Sequence, residues 1–291
     1  GFGFGATIWV KLAGSWFGGL LNTTNLFGLP GVQSVFVIYG IAFAVLVLVG
    51  SIWMVNPPPG YKPKGWEPPV ESATTKATGS VDLTSSEMLK TPQYFMLLLM
   101  FIGSALAGLM VIYCIKLFGI DALQASGVAD AAVASTIAGT AMAWYAILNG
   151  LGRIAWGTVS DKIGRKVALF LMCLIQGGIM LVFFKMGASI LGLIIGASII
   201  GFNFGGNFAL FPAATADYFG NKNVGKNYPC VFMAYAVAGI AGPQVAGIFK
   251  DAAKGGDVKA WVTPFIIAGV ACLVAAAISL MLKPPKHEVN K

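Results

Sequence analysis

The chain has 291 residues, 57% hydrophobic and 10% charged, with a mean hydropathy of +0.80. Soluble domains carry about 45–50% apolar and about 25% charged residues, so this composition excludes an ordinary soluble globule and is far too apolar for a solvated disordered chain. The net charge of +8 rests on 17 Lys among 19 basic residues, scattered between apolar runs with no basic stripe interleaved with aromatics, which excludes a nucleic-acid partner and assigns the excess to membrane topology.

A bilayer-spanning helix needs about 20 mostly apolar residues. The chain opens with an apolar stretch, residues 1 to about 17, interrupted only by Lys11. It carries no Met, polar leader or signal-peptide charge cluster, and reads as a span of a chain lacking its front end. Seven full uncharged runs follow, at residues 35–55, 94–115, 131–152, 167–184, 190–214, 227–249 and 260–282. The expected fold is therefore all-α and integral to the membrane.

Between the first and second full runs lies the one long polar segment, residues 56–92, opened by Asn56-Pro57-Pro58-Pro59-Gly60-Tyr61, which blocks helical continuation. It divides the chain into residues 1–55, a linker 56–92 and six spans in 93–291. Near its end Thr84-Ser85-Ser86-Glu87 has capping-box form and predicts a short helix before Thr91-Pro92, a chance match to a loose pattern being the alternative.

Alternating the spans places Lys62, Lys64, Lys76, Lys90, Lys162, Arg165, Lys166, Lys222, Lys226, Lys283, Lys286 and Lys291 on one side of the membrane. Lys116, Lys185, Lys250, Lys254 and Lys259 fall on the other. The positive-inside rule makes the linker and the C-terminal tail cytoplasmic, in a cell (inner or plasma) membrane. Cys114, Cys173, Cys230 and Cys272 sit in apolar runs without metal-ligand spacing, and the single His, His287, lies in the polar tail. No metal, haem or other cofactor is expected.

Arg153 closes the stretch Trp144-Tyr145-Ala146-Ile147-Leu148-Asn149-Gly150-Leu151-Gly152-Arg153, and helical spacing puts Tyr145, Asn149 and Arg153 on one face. A guanidinium offers a planar fork matched to a carboxylate, so this row of hydroxyl, amide and cation suits a small organic anion. The competing reading is an Arg at the membrane edge that snorkels to lipid phosphates. Lys11, expected about halfway along its span, is the second candidate cation, with the same alternative. No Asp or Glu falls inside the apolar runs, and two cations in one cavity repel unless a bound anion neutralises them.

The segment Gly157-Thr158-Val159-Ser160-Asp161-Lys162-Ile163-Gly164-Arg165-Lys166 reads as a hinge loop between spans. Gly157 permits close helix approach and Gly164 a tight turn, Asp161 can cap a helix, and Arg165 and Lys166 anchor at lipid phosphates. The pattern resembles the Gly-x-x-x-Asp-x-x-Gly-Arg-Lys motif of the major facilitator superfamily. More narrowly, the Asn56-Pro-Pro-Pro-Gly-Tyr stretch, the Gly-Leu-Gly-Arg-Ile-Ala-Trp-Gly stretch at 150–157 and Asn207-Phe-Ala-Leu-Phe-Pro-Ala-Ala-Thr-Ala-Asp-Tyr-Phe-Gly220 resemble the oxalate/formate antiporter family, grouped with monocarboxylate-porter-like transporters.

The resemblance implies helices 5–12 of a twelve-helix fold, with residues 1–55 ending an N-terminal lobe and residues 93–291 forming the C-terminal lobe. Helices 1–4 of the same polypeptide are then a missing partner. It also implies a central anion site served by alternating access, with Arg153 as the eighth-helix substrate arginine and Gly157, Asp161, Gly164, Arg165 and Lys166 as a gating motif.

Two departures from the family pattern qualify this. Where the oxalate transporters carry a lysine on the eleventh helix, this chain has Tyr235, and Lys11, at a pseudo-symmetric position on the fifth, is the expected replacement. Where monocarboxylate porters carry Asp-x-x-x-Arg, this chain has Asn149-x-x-x-Arg153, and asparagine cannot titrate. The expected function is therefore exchange or facilitated transport of formate, oxalate, lactate or a related acid, with no enzyme activity. The alternatives are a proton-coupled monocarboxylate symporter and a membrane anion receptor that does not transport. Asn203, Asn207, Tyr228 and Phe232 are weaker candidates, explained equally by interhelical hydrogen bonds and packing.

Overall fold

The computed structural model describes residues 2–14, 16–55, 57–58, 60–62, 64–65, 81–253, 257–283 and 285. The expectations for Asn56, Pro59, Lys76, Lys254, Lys286, His287 and Lys291 lie outside these residues. Gly1–Glu71 and Ser72–Lys291 form two separate compact units. The described residues are all helix, turn or irregular, and seven of the helices are long and apolar enough to cross a bilayer.

The first unit contains α1 (Phe2–Gly14), a 3-10 turn (Trp16–Gly18), α2 (Leu20–Thr23) and α3 (Gly31–Ser51). The expected opening span is shorter than its apolar run. Phe17, at φ 56°, and Gly18, at φ 82°, turn the chain out of the helical region just beyond α1. Lys11 sits in the last turn of α1 and is exposed. α1 and α3 meet through Trp9, whose ring lies 4.8 Å from Tyr39 and 4.7 Å from Phe43. The Tyr39 hydroxyl donates to the Trp9 carbonyl. On α3, Phe36, Ile41, Leu46 and Val47 are exposed, as suits a helix that is apolar all round and solvated by lipid.

The second unit holds α4 (Ser85–Met88), α5 (Pro92–Ala125), α6 (Ala131–Ile163), α7 (Arg165–Met186), α8 (Ile190–Phe219), α9 (Val224–Ala253), a 3-10 turn (Val258–Trp261) and α10 (Val262–Met281). Helix starts follow local capping chemistry. The Glu87 carboxylate accepts the Thr84 backbone N–H at 2.8 Å and the Thr84 hydroxyl at 2.7 Å, which produces the short helix expected there. The Thr91 hydroxyl accepts the Tyr94 N–H at 3.3 Å, with Pro92 in the first turn of α5. The Asp130 carboxylate accepts the Ala132 N–H at 2.7 Å, and the Ser189 hydroxyl accepts the Gly192 N–H at 3.1 Å.

Several helices outrun their apolar windows. α5 extends to Ala125 and so includes Asp121, whose carboxylate accepts the indole N–H of the fully buried Trp261 at 2.8 Å. α6 continues to Ile163, so the expected hinge loop is mostly helix. Gly164, at φ 85°, is the single residue between α6 and α7, a conformation that favours glycine.

α5 packs on α6, α8, α9 and α10, while α6 pairs with α8 and α7 with α10. α6 and α8 run parallel and approach closely. The Tyr145 and Asn149 carbonyl oxygens lie 2.3 and 2.0 Å from where a Cβ on Gly201 and Gly205 would stand. Gly242 also sits tightly on α5, whereas Gly247 has nothing within 4 Å and is not a packing glycine. Helices α8 and α9 continue through Pro212 and Pro243. One aromatic core joins Phe118, Phe183, Trp261 and Phe265, and a second stacks Phe101 on Phe211 at 4.2 Å. Cys114, Cys173 and Cys272 are buried within this packing.

The last residues of the linker dock on the α8–α9 turn. The Leu83 N–H donates to Phe219 O at 2.9 Å, and the Leu83 carbonyl accepts from the Asn223 and Asn227 amides at 3.1 and 2.9 Å. The Ser85 hydroxyl donates to Asn227 Oδ1 at 2.9 Å. Gly220, at φ 90°, leaves no room for a side chain there, since a Cβ would meet Asp82 Oδ1 and Val81 O at 2.3 Å.

Candidate functional site

The face of α6 that carries Tyr145, Asn149 and Arg153 turns toward α8 and α9. Arg153 is half-buried, and its Nη2 donates to Asn149 Oδ1 at 3.2 Å, which the four-residue spacing on one helix allows. The guanidinium carbon stands 4.3 Å above the Phe208 ring of α8, within cation–π range. Phe208 in turn packs against Tyr235 of α9 at 5.6 Å between ring centroids, and Tyr235 stacks on Phe232 at 5.2 Å with the planes 10° apart. Phe204 completes the wall, 5.6 Å from Phe208 and 6.4 Å from Tyr235.

Three helices thus surround one guanidinium with an amide and aromatic rings. The fork is held on one side by Asn149 and backed by a π face. This presents a cation in an apolar setting, where an anion gains more than it would in water.

Of the expected ligands, Arg153, Asn149 and Tyr235 are brought together around Phe208. Tyr145 borders the same wall, its ring 6.3 Å from that of Phe204, but its hydroxyl is engaged. It is 3% exposed, and its hydroxyl donates to the Gly108 carbonyl at 3.0 Å, tying α6 to α5. Lys11 belongs to the other unit, at the exposed end of α1. Asn203 and Asn207 make interhelical hydrogen bonds, from Trp156 Nε1 at 3.1 Å and from the Ser104 hydroxyl at 2.7 Å. Phe208 was missed in the sequence. Its signal was the four-residue step from Phe204, which any apolar helix also shows.

The glycine-and-charge motif forms a second cluster at the α6–α7 junction. Arg165 Nη1 contacts Asp161 Oδ1 at 2.6 Å and also donates to the Ser160 hydroxyl, while Nε donates to Asp217 Oδ2 of α8 at 2.8 Å. The Asp161 side chain is 66% exposed and that of Asp217 27% exposed, so Asp217 is the better shielded partner. Sequence spacing revealed Asp161 but not Asp217, which lies 52 residues from Arg165. A cleft of about 240 Å³ opens here, lined by Arg165, Lys166, Asp217, Tyr218 and Leu282. Arg153 does not line it.

Residues 128–291 match the Major Facilitator Superfamily, which covers more than half of the 291-residue chain. The chain is 28% identical over 219 residues to the uncharacterized MFS-type transporter YhjX of Escherichia coli (strain K12), covering 75% of this chain and 50% of that protein. It is 28% identical over 204 residues to the oxalate:formate antiporter of Oxalobacter formigenes, covering 70% and 45%. A shorter stretch of 86 residues is 35% identical to apicoplast pyruvate carrier 1 of Toxoplasma gondii, covering 29% and 16%. The chain spans about half the length of the first two relatives. These proteins are transporters by name and not enzymes. With its all-helical architecture, its seven helices of membrane-crossing length and a family match over most of the helical lobe, the chain is a multi-pass membrane protein of the Major Facilitator Superfamily.

Proposed function

We propose that this protein moves a small organic carboxylate across the membrane by exchange or facilitated transport, with Arg153 as the principal anion ligand. The observation that carries the reading is the half-buried Arg153 guanidinium held between Asn149 and the Phe208 ring, beside Tyr235 of α9. A planar cation bounded by aromatic rings matches an anion whose remainder is small and weakly polar. Asn149 orients the fork and Tyr235 offers a hydroxyl beside the same rings. The likeness to an oxalate:formate antiporter and to a pyruvate carrier supports the carboxylate class and, within it, the oxalate/formate antiporter family.

Asn149 stands where a titrating carboxylate would couple transport to protons, and this favours exchange over proton symport. Lys11 is proposed as a second positive charge on its correspondence with Tyr235 in the pseudo-symmetry of the family. The Arg165 cluster is proposed as the gate that stabilises one closed state, with the linker and C-terminus on the cytoplasmic side.

The test is uptake of a labelled carboxylate panel into proteoliposomes, with and without carboxylate inside. Uptake of one acid that saturates, is accelerated by the internal acid and falls about 10–100-fold in Arg153→Gln is the expected result, since a charge-assisted hydrogen bond is worth about 1.5–3 kcal/mol. Unimpaired uptake by Arg153→Gln refutes the assignment. Binding without counterflow would identify a receptor. Lys11→Gln with unchanged affinity would remove Lys11 from the site.

A further inference from the structure

Three amide side chains at mid-height of the second unit are buried without satisfying their hydrogen-bonding groups. Gln176 of α7 is 0% exposed, and neither Nε2 nor Oε1 has a partner among the described residues. On α8, Asn203 and Asn207 are 1% and 0% exposed, and the Nδ2 of each is likewise unpartnered. Their oxygens are already used, by Trp156 Nε1 and by the Ser104 hydroxyl.

The helix register puts these groups at one level. α7 and α8 run antiparallel, with Gly206 against Met172 and Gly196 against Phe183, and this sets Gln176 opposite Asn203. α10 meets the same level, since Gly177, beside Gln176, packs on Leu273. The neighbouring Cys272 thiol donates to Gly103 O at 3.4 Å, one residue before Ser104. The result is a polar layer drawn from α5, α6, α7, α8 and α10 inside an otherwise apolar bundle.

We propose that Gln176, Asn203 and Asn207 hold ordered water, forming an internal hydration site in the helical lobe. The chemistry selects the occupant. The open valences are amide N–H donors on three side chains together with one acceptor, Gln176 Oε1. An inorganic anion would serve the donors and be repelled by Oε1, while a cation would be repelled by the N–H groups. Water both accepts and donates, and a buried water typically makes about three such bonds. Leaving these amides unmet in an apolar interior costs free energy that water binding recovers. Through Trp156, one turn beyond Arg153 on α6, the site braces the helix segment that carries the candidate anion ligand. The inference does not depend on the carboxylate reading.

Hydroxyl-radical footprinting of the purified protein in nanodiscs tests it, because radicals generated from bound water oxidise the side chains beside it. Met172, 0% exposed and packed beside Gly206 next to Asn207 on α8, is the reporter, and Met110, also 0% exposed, is the buried control. Met172 is expected to be modified several-fold faster than Met110, with the excess lost in Gln176→Leu. Equal rates at Met172 and Met110 in the unsubstituted protein would overturn the proposal without any variant having to fold.

Discussion

Arg165, at the first residue of α7, donates through Nε to the Asp217 carboxylate of α8 at 2.8 Å, and the same guanidinium holds Asp161 of α6 at 2.6 Å. Helices α6 and α7, on either side of the positive-φ residue Gly164, and the later α8 are thereby joined at one end by one side chain. The two carboxylates are not equivalent, since Asp217 is much the less exposed.

Asp217→Asn is therefore expected to destabilise the protein by about 1 kcal/mol, and the highly exposed Asp161→Asn by less. In a unit of this size that lowers the thermal midpoint by about 2–4 °C for Asp217→Asn. Scanning thermal unfolding of both variants at low and high salt checks the order. An Asp161 effect as large as that of Asp217 would contradict the ranking by burial.

Asn149→Asp places a carboxylate beside Arg153, whose Nη2 lies 3.2 Å from Asn149 Oδ1. The internal carboxylate would compete with substrate for the guanidinium, so affinity falls at neutral pH. Protonating that carboxyl releases the guanidinium, so affinity recovers on acidification. At equal concentrations of the substrate anion, the ratio of variant to unsubstituted uptake is expected to rise toward acid pH. A pH-independent ratio would show that residue 149 does not orient Arg153.

Gly205→Ala would put a methyl 2.0 Å from the Asn149 carbonyl oxygen and force α6 from α8. Overpacking of this kind costs about 1–3 kcal/mol. Gly247→Ala meets no atom within 4 Å and removes a flexible residue from a helix, so it is expected to stabilise by about 0.5–1 kcal/mol. Thermal midpoints of the two variants should move in opposite directions.

The Glu87 carboxyl is held below its ordinary pKa first by the Thr84 backbone N–H, then by the Thr84 hydroxyl, with a smaller contribution from Lys90. A depressed carboxyl pKa supports folding above the unfolded value of about 4.3, and that support is lost as pH falls through the lower folded value. Amide exchange of residues 84–89 is expected to accelerate across that acid window relative to the intrinsic rate, with the step absent in Glu87→Gln. An unchanged step in the variant would assign it to another group.

Much of the architecture was legible in the sequence because membrane insertion writes it there. Every spanning segment must satisfy its own backbone and show apolar side chains to lipid, so seven apolar runs became seven helices. The Pro-rich break, the Thr84 cap and the row Tyr145, Asn149, Arg153 follow from local chemistry and the 3.6-residue period alone. Helix ends were less legible, because hydrogen bonding continues past the last apolar residue. This carried α6 to Ile163 and brought Asp121 into α5, while the turn after Gly14 cut α1 short and moved Lys11 to its end.

Tertiary structure alone decided the partners. Nothing in the spacing indicates that Arg153 lies over Phe208, that the Tyr145 hydroxyl is taken by Gly108, or that Arg165 reaches Asp217. The first depends on how closely α6 and α8 approach, the second on α5 against α6 and the third on α7 against α8. The approach of α6 to α8 is permitted by glycines on one helix meeting carbonyls on the other, a complementarity between distant positions that a one-dimensional pattern does not contain.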